Sequence, residues 1–366
     1  MTGSWTHTAP AQRVRFATDA LDQVADAVKD VGGRRVLLVT SAARRSSEPG
    51  ERLTGALGRT LASVFDGARS HVPTSAVQAA VRQAQSDGVD AVVSFGGGSC
   101  ADLAKAVCFF IEREAGVPGA SYLDRPAVAH VAVPTTYSGA AWSAVFEMTE
   151  EGTRRKTEAG GPTIAPLAVV VDPVLTLDLP ARISAETGME ALAHAVGACL
   201  SSATTPEAGA VAHAAVTALA ASLPQVVDDP TDIGARCAVS EAACLAGRSL
   251  HNAGRGLDHV LARLIGGRTG IAHGLAAAIL LAPTVAETVD LTAVPGQRLG
   301  DALGDPDDPA GAIDRLRERI GLPGHLAEVG VDDDDLEVVV RMSSSAYGAA
   351  RPPAEERVRA VLDAAR

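Results

Sequence analysis

The sequence predicts a doubly wound α/β domain built on a parallel sheet, followed by an all-helical domain. Two observations support this fold class. Up to about residue 173, apolar strand-like runs alternate with helical segments, which is the pattern of a parallel sheet with crossover helices. Beyond that point the strand patterns stop, and Ala- and Leu-rich helical segments follow one another. We therefore place an α/β domain at residues 1–173 and a helical domain at 174–366.

Five short apolar runs are predicted as strands. Each is nearly continuous in its hydrophobicity, as expected of a strand that helices cover on both faces. The runs are RRVLLVT (34–40), LASVFDG (61–67), VDAVVSFGGGS (89–99), AHVAVPTT (129–136) and LAVVVDP (167–173). Between them, residues 74–88 predict a helix that Thr74 or Ser75 caps and Gly88 ends.

The second half is predicted as packed helices. The long helical segments are 184–200, 206–224, 232–251, 256–266 and 272–289. The acidic stretches 304–309 and 331–335 predict solvated loops or a helix start. The last residues, 352–366, predict a surface helix that two prolines begin.

The composition argues against several classes of protein. A net charge of −12 and the lack of a long basic run argue against nucleic-acid binding. The N-terminus lacks the apolar core of a signal peptide, and no uninterrupted apolar segment of about 18 residues occurs, so we expect no membrane span. The five cysteines form no CxxC pair, and we expect a reduced, cytoplasmic protein.

The stretch SFGGGSCADLAKAV (94–107) predicts a strand, a glycine turn and a helix. Gly96, Gly97 and Gly98 let the backbone approach a ligand, and the N–H groups at the start of the helix favour an anion. The pattern is neither GxGxxG nor GxxxxGK[ST], and a purely structural turn is the alternative. Its position after a buried strand of an α/β domain predicts a nucleotide pyrophosphate site.

The apolar helical stretch GMEALAHAV (188–196) carries Glu190 and His194 on one face. Either these two side chains satisfy each other as a buried pair, or they jointly hold a metal ion. His259 and His273 follow on either side of a GG turn. A lone histidine in a helix is more often a core residue, but the four side chains together could bind one divalent ion such as zinc or iron.

These segments, taken together, resemble the iron-containing alcohol dehydrogenase superfamily of the dehydroquinate-synthase-like fold, and within it most closely the maleylacetate reductases. The resemblance extends over nearly the whole chain and implies hydride transfer from NAD(P)H to a small molecule. The segments that carry it are HVPTSAVQAAV (71–81), GGGS…LAKA (96–106), VPTTYSG (133–139), MTEEGTRRKT (148–157), DPVLTLDLP (172–180), GMEALAHAV, the histidines at 259 and 273, and ARPPAEERVRAVL (350–362).

The resemblance also implies roles for the residues at matching positions. The implied pyrophosphate loop is Gly96, Gly97, Gly98 and Ser99, with Asp102 and Lys105 on the helix that follows; Thr135 and Thr136 match threonines beside the cofactor; Glu190, His194, His259 and His273 match the four metal ligands.

Three positions depart from the family pattern. Residue 190 is Glu, where metal-dependent members have Asp, maleylacetate reductases usually have Asn, and dehydroquinate synthases have Glu. Arg263 replaces a common proton-relaying histidine, and Asp258 replaces an apolar residue or histidine. Two states of the site follow: one holds iron or zinc, and in the other Arg263 neutralises Glu190 and itself acts as the electrophile. In either state His194, His259 and Arg263 are the predicted catalytic residues.

The predicted activity is the reduction of a carbonyl or alkene in a small substrate that bears a carboxylate. Arg263, Arg255 and Arg351 are candidates for holding that carboxylate, and ordinary ion pairs are the alternative for each. Two other functions remain open. One is a metal-dependent non-redox lyase or cyclase on the same scaffold, which Glu190 favours. The other is a non-catalytic nucleotide-binding homologue, which Arg263 favours.

Cofactor choice is predicted from the end of the first predicted strand. Many NAD-preferring relatives carry Asp there, whereas this chain has Ser41 followed by Arg44 and Arg45. With no carboxylate to repel a 2′-phosphate, and with either arginine able to bind it, we expect NADPH to be accepted at least as well as NADH. The alternative is that both arginines are solvated loop charges. Members of the family are commonly dimers, and we expect a homodimer.

Overall fold

A computed structural model describes residues 4–253, 256–344 and 353–366, and in it the chain divides into two compact units. Thr8–Asp178 form an α/β unit, and Leu179–Arg366 form a helical unit together with the N-terminal residues up to His7. The first segment joins the helical unit because the His7 ring makes a 2.9 Å hydrogen bond to Thr205 and lies 3.4 Å from the Glu207 carboxylate. The division after Asp178 lies close to the predicted boundary at residue 173.

The α/β unit contains a six-stranded parallel sheet and a separate antiparallel hairpin. The strands are β1 (Arg13–Phe16), β2 (Val36–Val39), β3 (Leu61–Phe65), β4 (Ala91–Gly96), β5 (Ala129–Pro134), β6 (Val145–Glu150), β7 (Arg155–Gly160) and β8 (Ala168–Val171). Their order in the sheet is β1-β8-β5-β4-β2-β3, and β6 pairs with β7. The predicted α/β fold class is confirmed, and all five predicted strands are present.

Three strands were missed from the sequence. The edge strand β1 is only four residues long and alternates arginine with apolar residues, so it lacks the continuous apolar run of the buried strands. The hairpin strands β6 and β7 are rich in charged residues and partly exposed. They are held by pairing with each other and by packing of Phe146 against Phe109, with ring centroids 5.4 Å apart.

Fourteen α-helices occur in the described residues. They are α1 (Val24–Asp30), α2 (Ala42–Arg45), α3 (Glu48–Leu57), α4 (Thr74–Ser86), α5 (Gly98–Glu114), α6 (Ala181–Leu200), α7 (Pro206–Asp228), α8 (Ile233–Ser249), α9 (Leu257–Thr269), α10 (His273–Thr288), α11 (Val294–Leu303), α12 (Pro309–Arg319), α13 (Asp333–Ser343) and α14 (Glu355–Ala365).

Several predicted helix ends are corrected. Helix α4 is preceded by Pro73 and has no side-chain cap, so neither Thr74 nor Ser75 caps it. Helix α7 continues through Pro224 to Asp228, past the predicted end. Leu223 and Val226, on either side of the proline, are buried, and this packing outweighs the cost of a proline inside the helix. Helix α14 begins after Ala354, and its apolar face is buried, so it is not merely a surface helix. The stretch 331–335 is a helix start, as predicted, in which Asp332 accepts the Asp335 N–H.

The helical unit is built around α6, which packs against α7, α8 and α10, while α7 and α8 also pack against each other. Among the described helices, only α7 is long and apolar enough to meet the criteria for a membrane span. It packs against α6, α8 and α11, and a core helix of a globular domain meets the same criteria.

The sheet topology marks one edge as a binding position. Strand β3 lies outside β2, and the chain then crosses back so that β4 pairs with the other side of β2. In open α/β sheets, ligands bind beside the carboxyl ends of the strands where the strand order reverses in this way. The carboxyl ends of β2 and β4 therefore flank the expected crevice.

Candidate functional site

The glycine turn connects the carboxyl end of β4 directly to helix α5. Gly96 ends the strand with φ +147°, which side-chain-bearing residues rarely adopt, and a Cβ there would overlap the Cys100 sulfur. Gly97 precedes the helix and Gly98 is its first residue, so both contribute backbone at the helix start. This end of α5 presents N–H groups at the topological switch point, where an anion is favoured.

A small recess lies beside this turn. It is lined by Ser94, Gly96, Gly97, Gly98, Ala101, Ala132, Pro134, Thr136, Ser138 and Ala141. Thr136 stands over Gly97, where an added Cβ would come within 3.1 Å of its methyl group. Thr135 is buried, and its N–H donates to the Gly96 carbonyl at 3.0 Å, which ties β5 to the turn. The structure thus brings both predicted threonines next to the predicted glycines.

Lys105 and Asp102 lie on α5 but face the segment that leads to the hairpin. The Lys105 side chain is fully buried, and its ammonium lies 2.8 Å from Asp102. The ammonium also donates to the Ala140 carbonyl at 2.8 Å, to the Ser143 hydroxyl at 3.1 Å and to the Val145 carbonyl. These partners balance the charge of Lys105 without a phosphate, and the predicted cofactor contact of this pair stays a prediction.

Ser41 and Arg44 lie at the carboxyl end of β2. The Ser41 hydroxyl accepts the Arg44 N–H and so caps the short helix α2. Arg44 lies close enough to the glycine turn for its charge to act on Cys100, although burial dominates and raises the pKa of that thiol to about 12. Arg45 instead forms a 2.7 Å ion pair with Asp66, which follows β3. Among the described residues, no carboxylate lies within 4.0 Å of the Arg44 guanidinium.

Three histidines of the helical unit converge. His194 lies on α6, His259 on α9, and His273 is the first residue of α10. One ring nitrogen from each lies within 4.8 Å of those from the other two. The ring centroids of His194 and His259 are 5.6 Å apart, and those of His259 and His273 are 4.9 Å apart. Sequence positions far apart along the chain therefore meet at one point.

Glu190 lies one helical turn before His194 and reaches the start of α10. Its Oε2 atom is 3.2 Å from where a Cβ on Gly274 would be, so the carboxylate stands beside the residue that follows His273. Gly274 also packs against the Glu186 carbonyl of α6 so closely that a side chain would not fit. A carboxylate at a helix N-terminus is favoured by the helix dipole.

The donor set fits a divalent metal ion. A tetrahedral zinc site places ligand atoms about 3.3 Å apart, because each bond is about 2.0–2.1 Å long. Three imidazole nitrogens within 4.8 Å of one another are close to that spacing. Imidazole with one carboxylate suits zinc or ferrous iron.

Two further residues of α9 flank His259. Asp258 is buried, and burial raises the pKa of its carboxyl to about 6, although hydrogen bonds from the His259 and Asp258 N–H groups oppose that rise. Arg263 lies one turn after His259 and is partly buried. Arg255 and Arg351, the other predicted carboxylate anchors, lie outside the described residues.

Sequence reasoning missed two residues near these sites. Ser138 lines the recess, and a Cβ on Gly98 would come within 2.9 Å of its hydroxyl. Asp66 pairs with Arg45 at the same edge of the sheet as Ser41. Asp66 could have been found, because it ends a predicted strand and the carboxyl ends of parallel strands share one edge.

Known proteins are similar to this chain over nearly its whole length. A family model described as iron-containing alcohol dehydrogenase matches residues 11–173, and one for the C-terminal part of the Fe-containing alcohol dehydrogenase family matches residues 184–366. The maleylacetate reductase of Rhizobium sp. is 32% identical over 98% of this chain and 96% of its own length.

Solved structures agree with these matches. The maleylacetate reductase of Agrobacterium tumefaciens is 30% identical, with a TM-score of 0.85 over 100% of this chain and 98% of that chain. An iron-containing alcohol dehydrogenase from Corynebacterium glutamicum is 26% identical, with a TM-score of 0.86 over 100% of this chain and 97% of that chain.

Proposed function

Because the chain belongs to the iron-containing alcohol dehydrogenase family, and is thereby an NAD(P)-dependent oxidoreductase, we propose that it reduces small carboxylate-bearing substrates in the manner of a maleylacetate reductase. The observation that carries the proposal is identity of about 30% to maleylacetate reductases over nearly the full length of both chains. Hydride would pass from the nicotinamide to a carbonyl or alkene carbon near the carboxylate.

The α/β unit would hold the cofactor. The backbone at Gly96, Gly97 and Gly98, with Ser99, would bind the pyrophosphate at the start of α5. Thr135 and Thr136 would border the cofactor from β5. Ser41 and Arg44 would face the adenosine ribose, where the guanidinium can bind a 2′-phosphate bidentately. Asp102 and Lys105 would act by holding the segment before β6 in place.

The helical unit would bind and activate the substrate. Glu190, His194, His259 and His273 would hold one iron or zinc ion, which when bound polarises a substrate carbonyl. Arg263 would bind the substrate carboxylate, since a guanidinium matches a carboxylate bidentately. The alternative is a metal-free site in which Arg263 neutralises Glu190, because a buried carboxylate needs a cationic partner.

Domain roles, assembly and location complete the proposal. Residues 1–173 would act as the nucleotide-binding domain and residues 174–366 as the substrate and metal domain. We infer a homodimer that works in the cytoplasm.

A substrate panel tests the activity. NADPH or NADH oxidation is measured with maleylacetate, with simple 2-oxo acids and with uncharged aldehydes. We expect maleylacetate to be preferred, with kcat/KM of about 10⁴ M⁻¹s⁻¹ or more. A preference for uncharged aldehydes would contradict the proposal. Product formation without net NAD(P)H consumption would instead support the lyase alternative, and NADPH binding with no turnover would support the non-catalytic one.

The variant Arg263→Gln tests whether Arg263 binds the substrate carboxylate and not the cofactor. We expect KM for the carboxylate substrate to rise by about 100-fold, because one charge-assisted bidentate contact is worth about 1.5–3 kcal/mol. KM for NADPH should change little. Arg268→Gln is the matched control, since Arg268 lies on the same helix and pairs with Asp335 at 2.7 Å. Equal effects of the two variants would remove Arg263 from the substrate site.

Metal analysis decides between the two states of the helical site. We expect stoichiometric iron or zinc in the wild type and loss of both metal and activity in Glu190→Gln and His259→Ala. If the purified protein carries no metal and a chelator leaves its activity intact, the metal-bound state is wrong. The Glu190–Arg263 ion pair would then be the working arrangement.

A further inference from the structure

Asp258 is a buried carboxylate at the start of α9, immediately before His259. Only 3% of the residue is exposed, and its carboxylate folds back over the start of the helix, where a Cβ on Gly256 would be 2.2 Å from its Oδ1. The backbone N–H groups there lie near enough to oppose the rise that burial causes in its pKa. Within the described part of the chain, no basic side chain lies within 4.0 Å of this carboxylate. The favourable groups nearest to it in that part of the chain are therefore the backbone N–H groups at the start of the helix that carries His259.

Two glycines make room for this arrangement. Gly256 is the residue before α9 and provides no side-chain cap. Its backbone angles, φ −71° and ψ 168°, suit any residue, but a Cβ there would overlap the Asp258 carboxylate. On α6, Gly197 lies three residues after His194, and a Cβ there would be 3.5 Å from the Gly256 nitrogen. The start of α9 therefore meets α6 near His194.

The missing cap explains what the carboxylate does. The first N–H groups of a helix have no partner within the helix, and a side-chain acceptor near the start normally satisfies one of them. In α9 the buried carboxylate of Asp258, from inside the first turn, is the acceptor that lies at this end of the helix. A carboxylate is also the charge that the N-terminal end of a helix favours. The backbone that carries His259 is thus fixed by its neighbour.

We propose that Asp258 is a positioning residue, which fixes the first turn of α9 and thereby aims His259 at His194 and His273. This inference rests on the proposed function, in which those imidazoles form the working site of the reductase. Residues that orient metal ligands typically change metal affinity or activity by 10- to 100-fold when removed.

The test compares variants of the full-length, metal-stripped protein by Zn²⁺ titration against a chromogenic chelator. We expect Asp258→Ala to weaken Zn²⁺ binding by about 10- to 100-fold. Asp258→Asn keeps an acceptor of the same shape and should stay within about threefold of wild type. Gly256→Ala retains the carboxylate but displaces it, so it should resemble Asp258→Ala. Because the two changes remove one interaction, their double variant should lose no more than either alone.

Asp232→Ala is the matched control. Asp232 caps α8 by accepting the Gly234 and Ala235 N–H groups at 2.8 Å and 3.1 Å, so its removal also costs a helix its acidic cap. This variant should lower the thermal unfolding temperature but leave Zn²⁺ affinity unchanged. Wild-type Zn²⁺ affinity in Asp258→Ala, with only a lower unfolding temperature, would overturn the proposal.

A second measurement keeps the proposal separate from the metal question. If the wild type binds neither Zn²⁺ nor Co²⁺, the metal part of the proposed function fails. The role of Asp258 is then tested by measuring kcat of the Asp258→Ala variant. A tenfold or larger loss of kcat in Asp258→Ala, with KM for NADPH unchanged and Asn restoring kcat, supports positioning. Unchanged kcat overturns it. If Asp258→Ala does not fold, Gly256→Ala and Asp258→Asn give the same comparison.

Discussion

At the scale of single residues, Arg44 and Arg45 differ in whether a carboxylate is paired with the guanidinium. Arg45 is paired with Asp66, whereas the Arg44 guanidinium has no carboxylate within 4.0 Å among the described residues. A guanidinium that is not neutralised is the better ligand for a 2′-phosphate. We expect Arg44→Gln to lower kcat/KM for NADPH by about tenfold, equivalent to about 1.4 kcal/mol, and to leave NADH unaffected.

Arg45→Gln is the control for that experiment. It removes the same charge from the neighbouring position but from a residue already held by Asp66. Steady-state kinetics with both cofactors should show a much smaller change in cofactor preference. A larger effect of Arg45→Gln than of Arg44→Gln would reverse the assignment, and a strong NADH preference in the wild type would remove its basis.

Burial of the His130 ring should make the free energy of unfolding depend on pH in the acid range. The ring is 1% exposed and shares a 2.8 Å hydrogen bond with the Ser94 hydroxyl. Burial, with a smaller contribution from the charge of Lys105, lowers the pKa of the ring to about 3. The unfolded chain takes up this proton below about pH 6.5. The stabilisation is therefore complete above pH 6.5 and is lost as the pH falls towards 3, by about 1.4 kcal/mol per pH unit.

The variant His130→Gln has no imidazole at this position, so its unfolded chain takes up one proton fewer than that of the wild type. Between about pH 6.5 and pH 5 we expect its free energy of unfolding, from urea titrations, to fall by about 2 kcal/mol less than that of the wild type. Its stability at neutral pH should be somewhat lower, since the Ser94 contact is altered. Parallel pH dependence of the two proteins would show that His130 does not titrate on unfolding.

At the scale of elements, one buried ammonium connects α5 to the segment before β6. Lys105 binds Asp102 and three acceptors between Ala140 and Val145. Removing one partner of a buried ion pair typically costs about 3–5 kcal/mol. We expect Lys105→Met to lose stability on that order in urea unfolding. We also expect it to raise KM for NADPH, because Ala141 of the recess lies within the released segment and Ser138 lies just before it.

Two comparison variants sharpen this test. Adding Asp102→Asn to Lys105→Met should recover part of the stability, because it removes the carboxylate that the first change leaves uncompensated. Lys29→Met, on the exposed side of α1, removes a lysine without a buried partner and should stay within about 0.5 kcal/mol of wild type. A loss in Lys105→Met no larger than in Lys29→Met would show that the buried contacts contribute little.

At the scale of the whole molecule, the homodimer is the property to measure. We expect light scattering to give twice the mass of the 37.2 kDa chain at micromolar concentrations. The basis is the family resemblance, and the protein should remain dimeric on dilution through that range. A monomer throughout would contradict the expectation without affecting the proposed activity.

The sequence predicted the fold well where burial dictates the pattern. The strands β2, β4 and β8 are buried on both faces, and their continuous apolar runs are unambiguous. It failed at β1, β6 and β7, where pairing with a neighbouring strand, and for β6 also packing against α5, selects the strand conformation rather than hydrophobicity. The convergence of His194, His259 and His273 could be predicted from the resemblance to the family. The contacts of Asp258, Asp66 and Lys105 could not, because they depend on tertiary neighbours that the local sequence does not indicate.

The attachment of His7 to Thr205 has a consequence for how the protein is made. The two residues are 198 positions apart, and all of Thr8–Asp178 lies between them. At about 5–20 residues per second, roughly 10–40 s separate the appearance of the two residues during translation. A nascent chain can therefore complete the α/β unit before the helical unit offers His7 its partner. The segment around His7 is made before the α/β unit but can dock only after that unit has been made.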